Sequence, residues 1–162
     1  MHDASAREVM SAPVTTLERG TSLEEAARIL TEKGYGGAPV VDRRGAPQGI
    51  VTLFDVVVYL AGLDRQPGRL GEQYLASREK WSREHEDDDA ADRDEYALET
   101  AVEDIMTPRV VSVAPGTPLS AVARTLAVEG IHRVIVREGE GPVLGIITSL
   151  DVLRAQQGVL KR

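Results

Sequence analysis

The sequence predicts an α/β fold of the α+β type: two βαββα repeats packed sheet to sheet as a pseudo-twofold pair, with a partly helical, acidic insertion between them. Three observations carry this expectation. Shifted by 96 positions, the chain matches itself without a gap from Val9 through Val57 onto Ile105 through Leu153. In each copy, short β-branched runs alternate with apolar stripes at helical spacing. Hydroxyls and glycines also stand at equivalent places in both copies, where helices must begin and end.

The two copies can be followed element by element. After the lead-ins Glu8-Val9-Met10 and Asp104-Ile105-Met106, the runs Val14-Thr15-Thr16-Leu17 and Val110-Val111-Ser112-Val113 predict a short strand. A helix comes next. In the first copy Thr21, with Glu24 three residues on, is expected to cap it, while Leu23, Ala26, Ala27 and Leu30 form its stripe and Gly34 ends it. In the second copy Thr117 is expected to cap and Pro118 to take the first helical position, with Leu119, Val122, Ala123 and Leu126 as the stripe and Gly130 as the stop. Then follow the strands Ala38-Pro39-Val40-Val41 and Val134-Ile135-Val136, a turn around Gly45 or Gly141, and a return strand. A unit of this size has too little core to stand comfortably alone, so the two are expected to share an interior. The resulting division is 1–61 for the first repeat, 62–100 for the insertion, 101–158 for the second repeat and 159–162 for a tail.

Both return strands end in the same chemistry. Gly49-Ile50-Val51-Thr52-Leu53-Phe54-Asp55 and Gly145-Ile146-Ile147-Thr148-Ser149-Leu150-Asp151 each deliver a hydroxyl and, three residues later, a carboxylate to a strand-to-helix corner. Two roles suit that spacing. Thr and Asp satisfy the unpaired amides of a helix start, and the acid suits the helix dipole. Alternatively the Asp accepts two hydrogen bonds from a pair of ribose hydroxyls while helix-start amides meet a phosphate or carbonyl oxygen. Duplication of the corner shifts the weight toward the second role.

Composition removes several function classes. With no cysteine among 162 residues, disulfides, thiol nucleophiles, zinc ribbons and iron–sulfur ligation are all excluded. A formal net charge of −7 and an aromatic content of 4% argue against a protein that coats nucleic acid, lies on an anionic membrane or stacks bases. The stretch from Met1 to Glu8 lacks the apolar core of a signal peptide and no apolar run approaches membrane-spanning length, so a soluble, cytoplasmic protein is expected. The three histidines, His2, His85 and His132, are scattered, and there is no Walker-type phosphate loop or metal-ligand cluster, so an enzyme is not expected. In the insertion, Leu70, Tyr74, Ser77 and Trp81 suggest one side of a helix, and the acidic run from Glu84 to Glu95 a solvated stretch. That run lacks the glycine-interrupted spacing of a calcium loop.

Together the residues resemble the cystathionine-β-synthase-type (CBS) domain, which occurs as tandem pairs. The resemblance rests on Val9-Met10-Ser11 and Ile105-Met106-Thr107-Pro108, on Gly20-Thr21-Ser22-Leu23 and Gly116-Thr117-Pro118-Leu119, and on Ala38-Pro39-Val40-Val41-Asp42 and His132-Arg133-Val134-Ile135-Val136, with the two Gly-x-x-Thr-x-x-Asp endings. It covers nearly all of the chain outside the insertion and the tail. It implies a regulatory module that binds AMP, ADP, ATP or S-adenosylmethionine in clefts between the repeats, with no obligatory cofactor. Asp55 and Asp151 would hold ribose hydroxyls beside Thr52 and Thr148, while Thr15 and Val111, with Pro39 and Ile135, would border the adenine. It also implies a homodimer of pairs, with the helices after Thr52 and Thr148 as contact faces, acting on a separate effector protein. The alternative is a ligand-independent dimerisation or adaptor module in which the four corner residues are caps alone.

The copies diverge where a phosphate would lie. The second has His132-Arg133 before its middle strand; the first has Gly36-Gly37. A guanidinium is a planar, permanently charged fork of donors suited to phosphate, whereas glycine offers backbone alone. The ordinary role for Arg133 is a surface pair with Glu138 or Glu140. For His132 it is an edge position.

Overall fold

The computed structural model describes residues 3–61 and 100–159. The helix expected through Leu70, Tyr74, Ser77 and Trp81 and the run from Glu84 to Glu95 lie outside these residues.

The βαββα order appears twice. The first repeat comprises β1 (Leu17–Glu18), α2 (Leu23–Lys33), β2 (Gly37–Val41), β3 (Pro47–Thr52) and α3 (Leu53–Leu60). The second comprises β4 (Ser112–Val113), α5 (Leu119–Glu129), β5 (Arg133–Val136), β6 (Gly145–Thr148) and α6 (Ser149–Gln156). One-turn helices, α1 (Ala6–Val9) and α4 (Val102–Ile105), precede them. The strands form two three-stranded sheets, ordered β1-β2-β3 and β4-β5-β6. In the second sheet β4 runs parallel to β5, and β6 returns antiparallel with Thr148 opposite Arg133 and Gly145 opposite Val136.

The first strand of each repeat departs from its β-branched run: β1 keeps only Leu17 of Val14-Thr15-Thr16-Leu17 and runs on to Glu18, and β4 keeps Ser112 and Val113 of the four expected. A ladder needs a partner as well as extended backbone, and β4 finds one for two residues, Ser112 opposite Ile135 and Val113 opposite Val136. Helix ends agree better. Gly34 and Gly130 close α2 and α5 in the left-handed conformation, φ 65° and 62°, which glycine adopts without a Cβ clash.

Both helix starts lie one residue later than expected. Ser22, not Thr21, caps α2 by accepting the Glu25 amide at 3.2 Å, and the Thr21 hydroxyl donates instead to the Glu18 carbonyl. In α5, Pro118 rather than Thr117 is the N-cap, and the helix begins at Leu119. The reason is long-range. The first helical amides are met by carbonyls from elsewhere in the chain, Leu23 by Thr100 at 2.9 Å and Leu119 by Ala4 at 2.7 Å.

Those contacts expose an exchange that chain order conceals. One compact unit gathers the described residues of Met1–Thr16, Val41–Gly49 and Pro108–Arg162; the other gathers those of Leu17–Val40 and Ile50–Thr107. The lead-in before the first repeat therefore packs on elements of the second. Ser5 bridges Pro118 and Ser11 bridges Ile146, while Ala6 and Val9 join the apolar cluster of Val122, Leu126, Val134, Val136 and Ile147. The lead-in before the second repeat does the converse. Ala101 bridges Ser22 and Thr107 bridges Ile50, and Val102 and Ile105 enter the cluster of Leu17, Leu23, Leu30, Val40 and Val51.

Candidate functional site

The two Thr–Asp corners have nearly the same local geometry. The Thr52 amide donates to Asp55 Oδ2 at 2.8 Å, and the Asp55 amide donates back to Thr52 Oγ1 at 3.2 Å. The Thr148 amide donates to Asp151 Oδ2 at 2.8 Å and the Asp151 amide to Thr148 Oγ1 at 3.3 Å; the Thr148 hydroxyl also donates to Asp151 Oδ2 at 2.7 Å. Each is a reciprocal capping box worth about 1 kcal/mol. Asp55 and Asp151 are also the buried acids among the described residues, 8% and 3% exposed. The boxes fix Oδ2 of both carboxylates at the helix starts.

The next amide beyond each corner reaches back to the middle strand. Leu53 donates to the Gly36 carbonyl at 3.2 Å, and Ser149 donates to the His132 carbonyl at 3.0 Å. Each corner thus sits beside the point where its repeat diverges from the other. In the second repeat Arg133 stands opposite Thr148 in the β5–β6 register. Residue alternation puts Arg133 and Ile135 on the face opposite Val134 and Val136, which lie in the helix-covered core. Ile135 is wholly buried. In the first repeat Pro39, also fully buried, lies between the core residues Ala38 and Val40 on β2.

The structure therefore brings Thr148, Asp151, Arg133, Ile135 and the His132 backbone together in one unit, and Thr52, Asp55 and Pro39 in the other. Val111 belongs with the former. Its carbonyl accepts the Ile135 amide at 3.0 Å and its side chain rests partly on the apolar cluster under the sheet. Thr15, half-buried between α1 and β1, falls in the unit that does not hold Thr52 and Asp55. The His132 side chain is exposed. The two glutamates named as ordinary partners for Arg133 are engaged with other residues: Glu138 with Arg7 at 3.6 Å, and Glu140 with Arg137 at 3.2 Å.

Sequence reasoning assigned no site role to the lead-ins. Yet Ser11 and Ile146 exchange two backbone hydrogen bonds, at 2.9 and 3.1 Å, two residues before Thr148, and Thr107 and Ile50 exchange two, at 2.8 and 3.0 Å, two residues before Thr52. A signal was present in the repetition of Met10 at Met106, but the contact that gives Met10 its place, against Gly145, joins residues at opposite ends of the chain. Among the described residues no group of acidic or histidine side chains could hold a metal ion, and no helix is long and apolar enough to cross a membrane.

The two βαββα repeats with their duplicated corners define a tandem-repeat α+β module. The chain belongs to the CBS domain family, whose domain matches twice, at residues 6–62 and 102–158. It is similar to protein MJ1225 of Methanocaldococcus jannaschii, 28% identical over 91% of this chain and 41% of that protein, so it spans about two-fifths of that relative's length. The structure of MJ1225 matches with a TM-score of 0.73 at 23% identity, over 95% of this chain and 48% of that one. The CBS pair of protein MJ0100, solved with 5′-methylthioadenosine and S-adenosyl-L-methionine, matches with a TM-score of 0.68 at 24% identity, over 97% and 98% of the two chains. CBSX2, known as a chloroplastic protein of Arabidopsis thaliana and solved with AMP, matches with a TM-score of 0.67 at 22% identity, over 96% and 97%. At these identities the structural likeness establishes the fold.

Proposed function

We propose that this chain is a regulatory CBS pair that binds adenosine-containing ligands, of the class AMP, ADP, ATP or S-adenosylmethionine, in clefts between its repeats and passes occupancy to an effector protein. The observation that carries the reading is the duplicated corner, in which a buried carboxylate is held rigidly at a helix start in both repeats. A carboxylate accepts several hydrogen bonds, and a pair of vicinal ribose hydroxyls is a chemically fitting donor set for it. Asp55 and Asp151 take the ribose, with Thr52 and Thr148 beside them. Arg133, flanked by His132, meets a phosphate, and Thr15, Pro39, Val111 and Ile135 border the base. The adenosyl ligands carried by MJ0100 and CBSX2 support the same chemistry.

The ligand is an effector, not a substrate, and no obligatory cofactor enters. The protein acts in the cytoplasm as a homodimer of pairs, with neither membrane nor nucleic acid as partner. The exposed apolar residues Phe54, Val57 and Leu60 on α3 and Leu150 and Leu153 on α6 supply the dimer contacts. A ligand-independent adaptor is the second reading, favoured by the commitment of Oδ2 in both aspartates to the cap.

Titration calorimetry with AMP, ATP and S-adenosylmethionine separates the two. Binding that is lost at one site in Asp55→Ala and at the other in Asp151→Ala supports sensing. Absence of heat with all three ligands leaves the adaptor.

A further inference from the structure

Each candidate site sits at the end of an edge strand, and the outer edge of that strand is closed by a segment that chain order assigns to the other repeat. β6, the edge strand of its sheet, carries the Thr148–Asp151 corner, and its Ile146 amide and carbonyl both go to Ser11. The neighbouring residue, Met10, crosses Gly145 so closely that a Cβ there would stand 2.7 Å from Met10 Cγ and 2.8 Å from its Cβ, and closer still to its sulfur. Only a glycine lets that side chain lie against β6. In the other unit, β3 carries the Thr52–Asp55 corner, and its Ile50 amide and carbonyl both go to Thr107; Met106 packs on the cluster containing Val51. An unpaired edge strand is free to fray and twist, and pairing it two residues before the corner removes that freedom.

We propose that the lead-ins act as crossed positioning segments: Met10 and Ser11 hold the Thr148–Asp151 corner in place, and Met106 and Thr107 hold the Thr52–Asp55 corner. A ligand held at one corner therefore also depends on the segment that leads into the opposite repeat. The part of this concerning ligands rests on the adenosyl reading above; the crossed positioning does not.

The test is site-resolved amide hydrogen exchange on the intact protein, comparing Met10→Ala and Met106→Ala. Met10→Ala is expected to speed exchange at residues 147–151 by about tenfold while leaving 51–55 unchanged, and Met106→Ala to do the reverse. Met10→Leu, close in volume, restores protection. Equal acceleration at both corners, or acceleration confined to the sequence-adjacent repeat, overturns the proposal. AMP titration of Asp55→Ala adds the ligand arm: Met10→Ala in that background weakens the remaining site about tenfold, whereas Met106→Ala does not. If the parent protein binds no adenosyl ligand, the sensing reading fails while the exchange pattern still decides the crossed positioning. If AMP binds and the crossed pattern is missing, this inference alone fails.

Discussion

The Asp3 carboxylate accepts hydrogen bonds from both the amide and the hydroxyl of Ser120, a residue 117 positions later. It thereby supplies the first turn of α5 with the capping oxygen that Pro118 cannot provide. Its negative charge also suits the positive end of the helix dipole.

Asp3→Ala should therefore lower stability by about 1 kcal/mol, as loss of an N-cap does. Ser120→Ala should cost a similar amount, and the double variant less than the sum, because both remove one contact. Urea unfolding midpoints of the three variants check this; strict additivity would show that the pair does not interact.

Gly145→Ala is expected to destabilise by about 1–3 kcal/mol, since the added methyl group must displace Met10. Combined with Met10→Ala, the same change should cost less than it does in the parent. A double-mutant cycle by thermal unfolding measures that compensation.

Glu103 fixes a pH dependence. Its carboxylate accepts the Gly20 amide at 2.7 Å, and this bond, aided by Arg19, holds its pKa below the ordinary carboxylate value. A folded pKa below the unfolded one contributes stability that is complete above the unfolded value, about 4.3, and fades as pH falls through the lowered folded value. Glu103→Ala should thus lose stability at pH 7 but converge on the parent in strong acid. Denaturant midpoints across the acid range test the convergence.

Arg133→Ala should weaken AMP and ATP, by about tenfold for loss of one charge-assisted phosphate contact, while leaving 5′-methylthioadenosine unaffected. Competition calorimetry with the two ligand types reads the difference directly. Equal weakening of both would assign Arg133 to the shape of the site.

Much of this molecule was legible in its sequence because the relevant forces are local. The capping boxes at Thr52–Asp55 and Thr148–Asp151 join residues three apart, and Gly34 and Gly130 stop helices through their own backbone freedom, so spacing alone revealed them. The 96-position repeat likewise made the βαββα order visible twice. Tertiary structure decided what depends on partners distant along the chain: that α2 and α5 begin one residue late because Thr100 and Ala4 meet their first amides, that β1 and β4 are short, and that each lead-in closes the edge of the opposite repeat's corner strand. Such contacts leave no periodic trace, because a backbone amide carries no record in the sequence of which distant carbonyl will satisfy it.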